Sequence, residues 1–221
     1  PDFGGLPSFR LKLLNDARGL DPLPADPMGR AVPPVLDRTG EATLELFREN
    51  DAYSELLWDR LSSLSLHPVE GRLLEVGCGI GNLTRILLRS PRVTYLHAID
   101  IDPSYVERLK AEILDPRLRV TAAPAEEFCP GVHQVAESGG DGGFDFIVSS
   151  NVLEHIEDHA RVLRSFERML KPRGVVLILV PAHPFLYSSL DRSLSHFRRY
   201  RSRDFHDLAR ETFDALSTRS K

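Results

Sequence analysis

The sequence predicts an α/β protein with a doubly wound, mostly parallel sheet flanked by helices, and three observations carry that prediction. Short apolar runs alternate with segments of helical periodicity from about residue 72 to 180, the pattern of strand–helix units laid onto a parallel sheet. The first run, Leu73-Leu74-Glu75-Val76, breaks into Gly77, Gly79 and Gly81 and then into Leu83, Ile86 and Leu87 at helical spacing, which reads as a strand turning sharply into a helix. The second run, Tyr95-Leu96-His97-Ala98-Ile99, ends on Asp100, at the carboxyl end of a strand where such sheets meet their ligands.

In chain order, residues 1–40 hold seven of the 16 prolines, including Pro22, Pro24, Pro27, Pro33 and Pro34, and read as an extended arm with one short helix near Phe9–Ala17. Residues 41–70 carry helical patterning in Leu44, Phe47, Leu56, Leu57, Leu61 and Leu64 and form a helical cap, either packed plainly on the sheet or, as the resemblance given below implies, covering the cofactor pocket. Residues 71–221 form the main domain. Its strands are expected near 72–76, 95–100, 118–122, 144–149 and 174–180. Asp102-Pro103 is a helix start, a cap followed by proline in the first turn, and Val106, Leu109 and Ile113 give that helix its apolar face. Val162, Leu163, Phe166, Met169 and Leu170 mark another helix, stopped at Lys171-Pro172-Arg173-Gly174. Glu137–Gly143 is a flexible, glycine-rich insert, Asp204–Arg210 is helical, and Phe213–Thr218 is the one stretch left for a sixth strand. The chain starts at Pro1 without methionine, as expected of a piece of a longer protein, and is expected to continue past Lys221.

Composition narrows the function. Of 221 residues 42% are hydrophobic, enough for a core, and 27% are charged. A net charge of −4 gives no reason to expect nucleic-acid binding. The longest apolar run of the sheet region, Val175–Val180, is far too short to span a bilayer, and no signal segment opens the chain, so a cytoplasmic protein is expected. Cys78 and Cys129 form no disulfide framework and lack metal-ligand spacing, and no metal site is expected.

The glycine spacing G-x-G-x-G departs from the dinucleotide fingerprint G-x-G-x-x-G, which disfavours a nicotinamide-dependent oxidoreductase. With Glu75 before the glycines, Asp100 on the next strand and Ser149-Ser150-Asn151-Val152-Leu153-Glu154-His155 after the fourth, the chain resembles the class I, Rossmann-like S-adenosylmethionine-dependent methyltransferases, in particular small-molecule enzymes with a "VLEH" segment. The likeness runs from about Arg72 to Val180 and more loosely to Tyr200. It implies S-adenosylmethionine as methyl donor and a sheet of seven strands, of which this chain can supply only part. It also implies that Gly77, Cys78, Gly79 and Gly81 lie against the donor's homocysteine and ribose, with Glu75 orienting the loop or the donor's amino group. Asp100 would bind the ribose hydroxyls and Ile101 would pack beside the adenine, while Asp102 is weighed as helix cap against ligand. Pro124 stands where many relatives carry an acid for the adenine amino group, leaving backbone around Ala125 and Glu126 to read that edge. Ser149, Asn151 and His155 would line the donor pocket, and His155 is either a base or an architectural hydrogen-bonding group.

In this superfamily the insert after the fifth strand, here about 181–203, builds the acceptor pocket. Its aromatic and titratable content fits a small-molecule wall: Phe185, Tyr187, Phe197 and Tyr200 beside His183, Asp191 and His196. His183 is the first candidate proton acceptor and His196 the next. Arg192, Arg198, Arg199, Arg201 and Arg203 either clasp an acidic acceptor, with Tyr187, Asp191, Arg198, Arg199 and Tyr200 as substrate-binding residues, or pair internally with Asp191, Asp204 and Asp207. The function expected is methyl transfer to a small molecule, at oxygen in first place, since an N-P-P-Y-type tetrad is absent after strand four. The alternative is a non-catalytic methyltransferase-like binding or scaffold protein. The proline-rich arm wraps either its own domain or a second subunit in a homodimer.

Overall fold

The computed structural model describes residues 68–128 and 143–217, with side chains to residue 212, and positions 44, 45, 48, 55, 56, 58, 59, 62, 63 and 65. The arm of residues 1–40, Cys129 and the insert before Gly143 lie outside the described residues.

Consecutive apolar residues, both neighbours of a pair and not only alternate ones, build the strands. β1 is Gly71–Val76, β2 Val93–Asp100, β3 Leu118–Ala122, β4 Phe144–Ser150 and β5 Leu170–Leu179. Leu73 and Leu74 are both wholly buried yet belong to different core clusters, Leu73 with Leu87, Leu96 and Phe146, Leu74 with Ile147, Phe166 and Val176. Successive strand side chains point to opposite faces, so this is a sheet covered on both sides, the setting of parallel sheets. The order is β3-β2-β1-β4-β5, and β1 pairs in parallel with both β2 and β4. The winding therefore reverses at β1, and the crevice past the carboxyl ends of β1 and β4 is the place where open α/β sheets bind ligands.

Helix α1 (Asn82–Arg89) follows the glycines. α2 (Pro103–Glu112) starts as its sequence predicts, with Asp102 accepting from the Ser104 N–H at 2.8 Å. α3 (His159–Met169) is capped by Asp158 and buries Phe166 completely, a contribution of roughly 1.5–3 kcal/mol. The described positions between 44 and 63 are helical, and Trp58 packs against the α1 face of the core. Glu45 meets Arg108 at 2.6 Å and Arg48 meets Glu112 at 3.3 Å, tying this segment to α2. After β5 come a 3-10 turn at Pro184–Leu186, α4 (Ser189–Ser193) and α5 (Ser202–Ser217).

Two expectations need correction. The stretch Phe213–Thr218, assigned to a sixth strand, is helical as far as Ser217, because Phe205, Leu208, Ala209 and Thr212 share one helical face turned to the core and α5 packs on α3. Lys171-Pro172-Arg173-Gly174 ends α3 as expected but belongs to the start of β5, with a register shift opposite Phe144–Phe146 and Arg173 at φ 69° absorbing the bend. Among the described residues no helix is long and apolar enough to cross a membrane.

Candidate active site

At the switch point lies a cavity of about 1010 Å³ bounded by the ends of β1, β2 and β4, the first turns of α1 and α2, the Leu153–His155 3-10 turn and the segment Leu194–Phe197. A second depression, about 660 Å³, sits at the amino ends of the strands around Arg72, Tyr95 and Arg119, away from the switch point.

The glycine loop forms the floor at one end. Gly77 and Cys78 both donate their N–H to the carbonyl of Ile99, at 2.8 and 3.0 Å, which folds the loop back over β2. Gly77 holds φ 77°, and a Cβ there would fall 2.1 Å from Val152 Cγ2, so only glycine fits. The Gly79 N–H donates to Asp100 Oδ2 at 2.8 Å, and the Asp102 N–H donates to Asp100 Oδ1 at 3.0 Å. Burial raises the Asp100 carboxyl above its ordinary value, and these amides work against that rise. Glu75 is buried and accepts the Thr84 hydroxyl at 2.6 Å; burial, with Asp100 nearby, pushes its carboxyl up to about 8, so it stays protonated at neutral pH. Burial also drives the Cys78 thiol far up, which leaves no thiolate there.

The opposite end gathers Glu154, His155, Leu194, His196 and Phe197. The rings of His155 and His196 meet edge to face at 4.5 Å. Glu154 is 1% exposed, its Oε2 finds no hydrogen-bond partner among the described residues, and burial pushes its carboxyl up to about 8. His196 Nδ1 lies 3.1 Å from Asp191 Oδ1. Burial works against charge on Asp191, yet the Arg199 guanidinium at 2.7 Å, the Ser188 N–H and His196 hold its carboxyl well below the usual range.

Of the residues assigned from sequence, Glu75, Gly77, Cys78, Gly79, Asp100, Ile101, Ala125, Glu126, Asn151, His155 and His196 line the cavity. Gly81 does not; it is the left-handed N-cap of α1, at φ 83°. Ser149 does not either: it is fully buried, and the next residue along the strand, Ser150, reaches the wall instead. His183 lies outside the cavity, at the start of the 3-10 turn with its ring 5.4 Å from Phe185. The residues expected to bind substrate turn inward to support the wall. Tyr187 donates its hydroxyl to the His196 carbonyl at 2.6 Å, and Arg198 donates to the carbonyls of Ile156 and Glu157. Arg199 clasps Asp191, and the buried Tyr200 donates to the Leu153 carbonyl at 3.1 Å. Sequence reasoning missed Asn82, whose Oδ1 has no partner among the described residues while its amide donates to the Leu44 carbonyl at 2.9 Å. Glu154 lies within the VLEH segment, but the sequence alone gives it no role.

The wall is rich in acidic and amide groups: Asn82, Asp100, Asp102, Glu126, Glu157 and Asp158 line the cavity beside the protonated Glu75 and Glu154, with Arg161 the one Lys or Arg among the described residues lining it. The Gly77, Cys78 and Gly79 amides are taken by protein acceptors. Such a wall suits a ligand that brings hydroxyl and ammonium donors and a positive charge, and it is ill suited to a pyrophosphate.

The sequence model of the family described as "Methyltransferase domain" matches residues 47–214. A malonyl-(acyl-carrier protein) O-methyltransferase of Halorhodospira halophila is 31% identical over 124 residues, 56% of this chain and 39% of the relative. A ubiquinone biosynthesis O-methyltransferase of Xanthomonas axonopodis pv. citri is 30% identical over 117 residues, 52% of this chain and 45% of the relative. The chain thus spans less than half the length of these two curated relatives. Among solved structures, phosphoethanolamine N-methyltransferase 2 of Haemonchus contortus, in complex with S-adenosyl-L-methionine, superposes with a TM-score of 0.56 at 21% identity, covering 73% of this chain and 36% of that one, a likeness of fold.

Proposed function

This chain belongs to the S-adenosylmethionine-dependent methyltransferase family, and from that premise we propose that it transfers a methyl group from S-adenosylmethionine to a small-molecule acceptor, at oxygen. The observation that carries this reading is the acceptor-lined cavity at the switch point, whose loop amides are already committed to Ile99 and Asp100. A nicotinamide dinucleotide needs those amides free for its phosphates; a sulfonium nucleoside does not.

The residues present fit the donor. Asp100 keeps lone pairs for ribose hydroxyls beside the amides it accepts, and Asn82 Oδ1 is a buried acceptor in need of a donor such as an ammonium group. Ile101, Ala123 and Ala125 offer apolar surface for an adenine ring. When bound, S-adenosylmethionine supplies a methyl group already activated by positive sulfur, so the protein's task is orientation and proton removal. In this reading Asn151, Ile156 and Leu194–Phe197, which line the cavity, serve as the acceptor wall, and His155 and His196 are its candidate proton acceptors. The acidic lining repels phosphodiesters, which favours a small acceptor over nucleic acid. Leu44 lines the cavity, which supports a covering role for the helical positions before β1.

Calorimetric titration with S-adenosylhomocysteine tests the reading, with NADH as control. Saturable binding of the first alone is expected, and Asp100→Ala should weaken it by about 1–3 kcal/mol. Binding of NADH instead, or of neither, overturns it. Binding without label transfer from methyl-labelled donor to any fraction of a metabolite extract favours the non-catalytic alternative.

A further inference from the structure

We infer that Glu154, His155 and His196 form a binding site for a first-row transition-metal dication at the acceptor end of the cavity. The site stands on geometry alone; its use in catalysis rests on the methyl-transfer reading above.

Each of the three residues offers one ligand atom, and the three atoms lie within 4.8 Å of one another. They come from two places, the 3-10 turn after β4 and the segment that follows α4, so the fold and not local spacing assembles them. Zinc bound by imidazole and carboxylate holds ligand atoms about 3.3 Å apart, so binding draws the three atoms together through side-chain rotation. Glu154 is 99% removed from solvent by the fold, with Oε2 pointing to no partner among the described residues. A buried polar group without a partner is costly, and a cation that displaces the carboxyl proton removes that cost.

The surroundings of the His196 imidazole fit metal ligation. His196 Nδ1 is engaged by the Asp191 carboxylate at 3.1 Å, which leaves Nε2 as the ligating nitrogen. Asp191 is itself fixed by Arg199 at 2.7 Å and by the Ser188 N–H at 2.8 Å. His155 lines the same cavity and meets the His196 ring edge to face at 4.5 Å. A carboxylate behind a ligating histidine, as Asp191 stands behind His196, sets its tautomer and orientation in metal sites. Two imidazoles with one carboxylate and open positions select zinc, iron, manganese or cobalt over magnesium and calcium.

A cation here has a task. An acceptor hydroxyl that ligates it passes its proton to bulk water, and the oxygen lone pair then forms the new bond to the methyl carbon as the carbon–sulfur pair stays on sulfur. Asp191 is a positioning residue in this scheme.

The test uses the metal-free chain, titrated with Zn²⁺ by calorimetry and with Co²⁺ by visible absorption, for wild type, His196→Ala, Glu154→Gln and Asp191→Asn. One equivalent of each metal is expected, with a d–d band for Co²⁺. Affinity should fall at least tenfold in the two ligand variants, and by about 10–100-fold in Asp191→Asn. S-adenosylhomocysteine binding in each variant reports folding and the donor site independently. Donor binding retained with no stoichiometric metal uptake by wild type, or with uptake equal in all variants, overturns the metal site while leaving the methyltransferase reading intact. Metal uptake without donor binding does the reverse. If His196→Ala loses donor binding through misfolding, Glu154→Gln and the wild-type cobalt spectrum decide.

Discussion

Asp100 accepts backbone N–H groups from Gly79 at 2.8 Å and Asp102 at 3.0 Å, so one carboxylate both pins the glycine loop and borders the ligand cavity. Gly77 completes that loop from the other side. Its φ of 77° lies in the left-handed region, and an added Cβ would approach Val152 Cγ2 to 2.1 Å. Gly77→Ala therefore strains the backbone and displaces Val152, a wall residue. A stability loss of about 1–3 kcal/mol is expected in urea unfolding, together with weaker S-adenosylhomocysteine binding. Loss of stability with binding unchanged would show that the loop's shape does not control the cavity.

At the next scale, Arg117 joins three elements. Its guanidinium donates to the carbonyls of Leu88 at the end of α1, at 2.5 Å, and of Ser90 and Val93 leading into β2, at 2.9 and 3.0 Å, while Asp115 pairs with it at 2.7 Å. Helix-end carbonyls have no partner within the helix, so Arg117→Met leaves several acceptors to water and should cost about 1–3 kcal/mol in urea unfolding. Donor binding should persist, since Arg117 lies at the far end of β2 from the cavity; its loss would mean that the sheet end and the site move together. The strands and the three helices around them were legible in the sequence because each advertises a regular period, and the donor loop because its glycines and acids lie close together in the chain. The acceptor side was not. Arg198, Arg199 and Tyr200 are as apt to hold a ligand as a carbonyl, and only the path of the chain assigns them to the carbonyls of Ile156, Glu157, Ala182 and Leu153 and to Asp191. His196 reaches His155 because Asp191, Tyr187 and Arg199 fold the insert back, contacts with no local period. At the end of β4 the choice between Ser149 and Ser150 depends on which face the cavity takes, a phase that alternation alone leaves open. The helical face of α5 overrode the strand-like composition after residue 212.

For the molecule as a whole, a cavity walled by acids makes its stability depend on pH, and the sign follows from where the protons sit. Glu75 in the folded chain titrates at about 8 against an ordinary 4.5. Between those values the folded state keeps a proton that the unfolded chain has released, so stability falls as pH rises through this window. Asp100, also raised, adds a slope of the same sign. His97, pushed down to about 4 by burial and the nearby arginines, acts oppositely: stability is lost as pH falls from about 6.5 towards 4. Above neutrality His97 is uncharged in both states, so the interval from about pH 7 to about pH 8.5 isolates the carboxyls. Glu75→Gln keeps the shape and an oxygen for the Thr84 hydroxyl but has no proton to lose. Its melting temperature should therefore change less across that interval than that of the wild type, with each kcal/mol read as about 2–4 °C for a chain of this size. Saturating S-adenosylhomocysteine, whose ammonium favours the ionised carboxylate, should flatten the wild-type slope in the same way. Parallel slopes for wild type and Glu75→Gln would place the proton elsewhere in the cavity and remove Glu75 from the donor's partners.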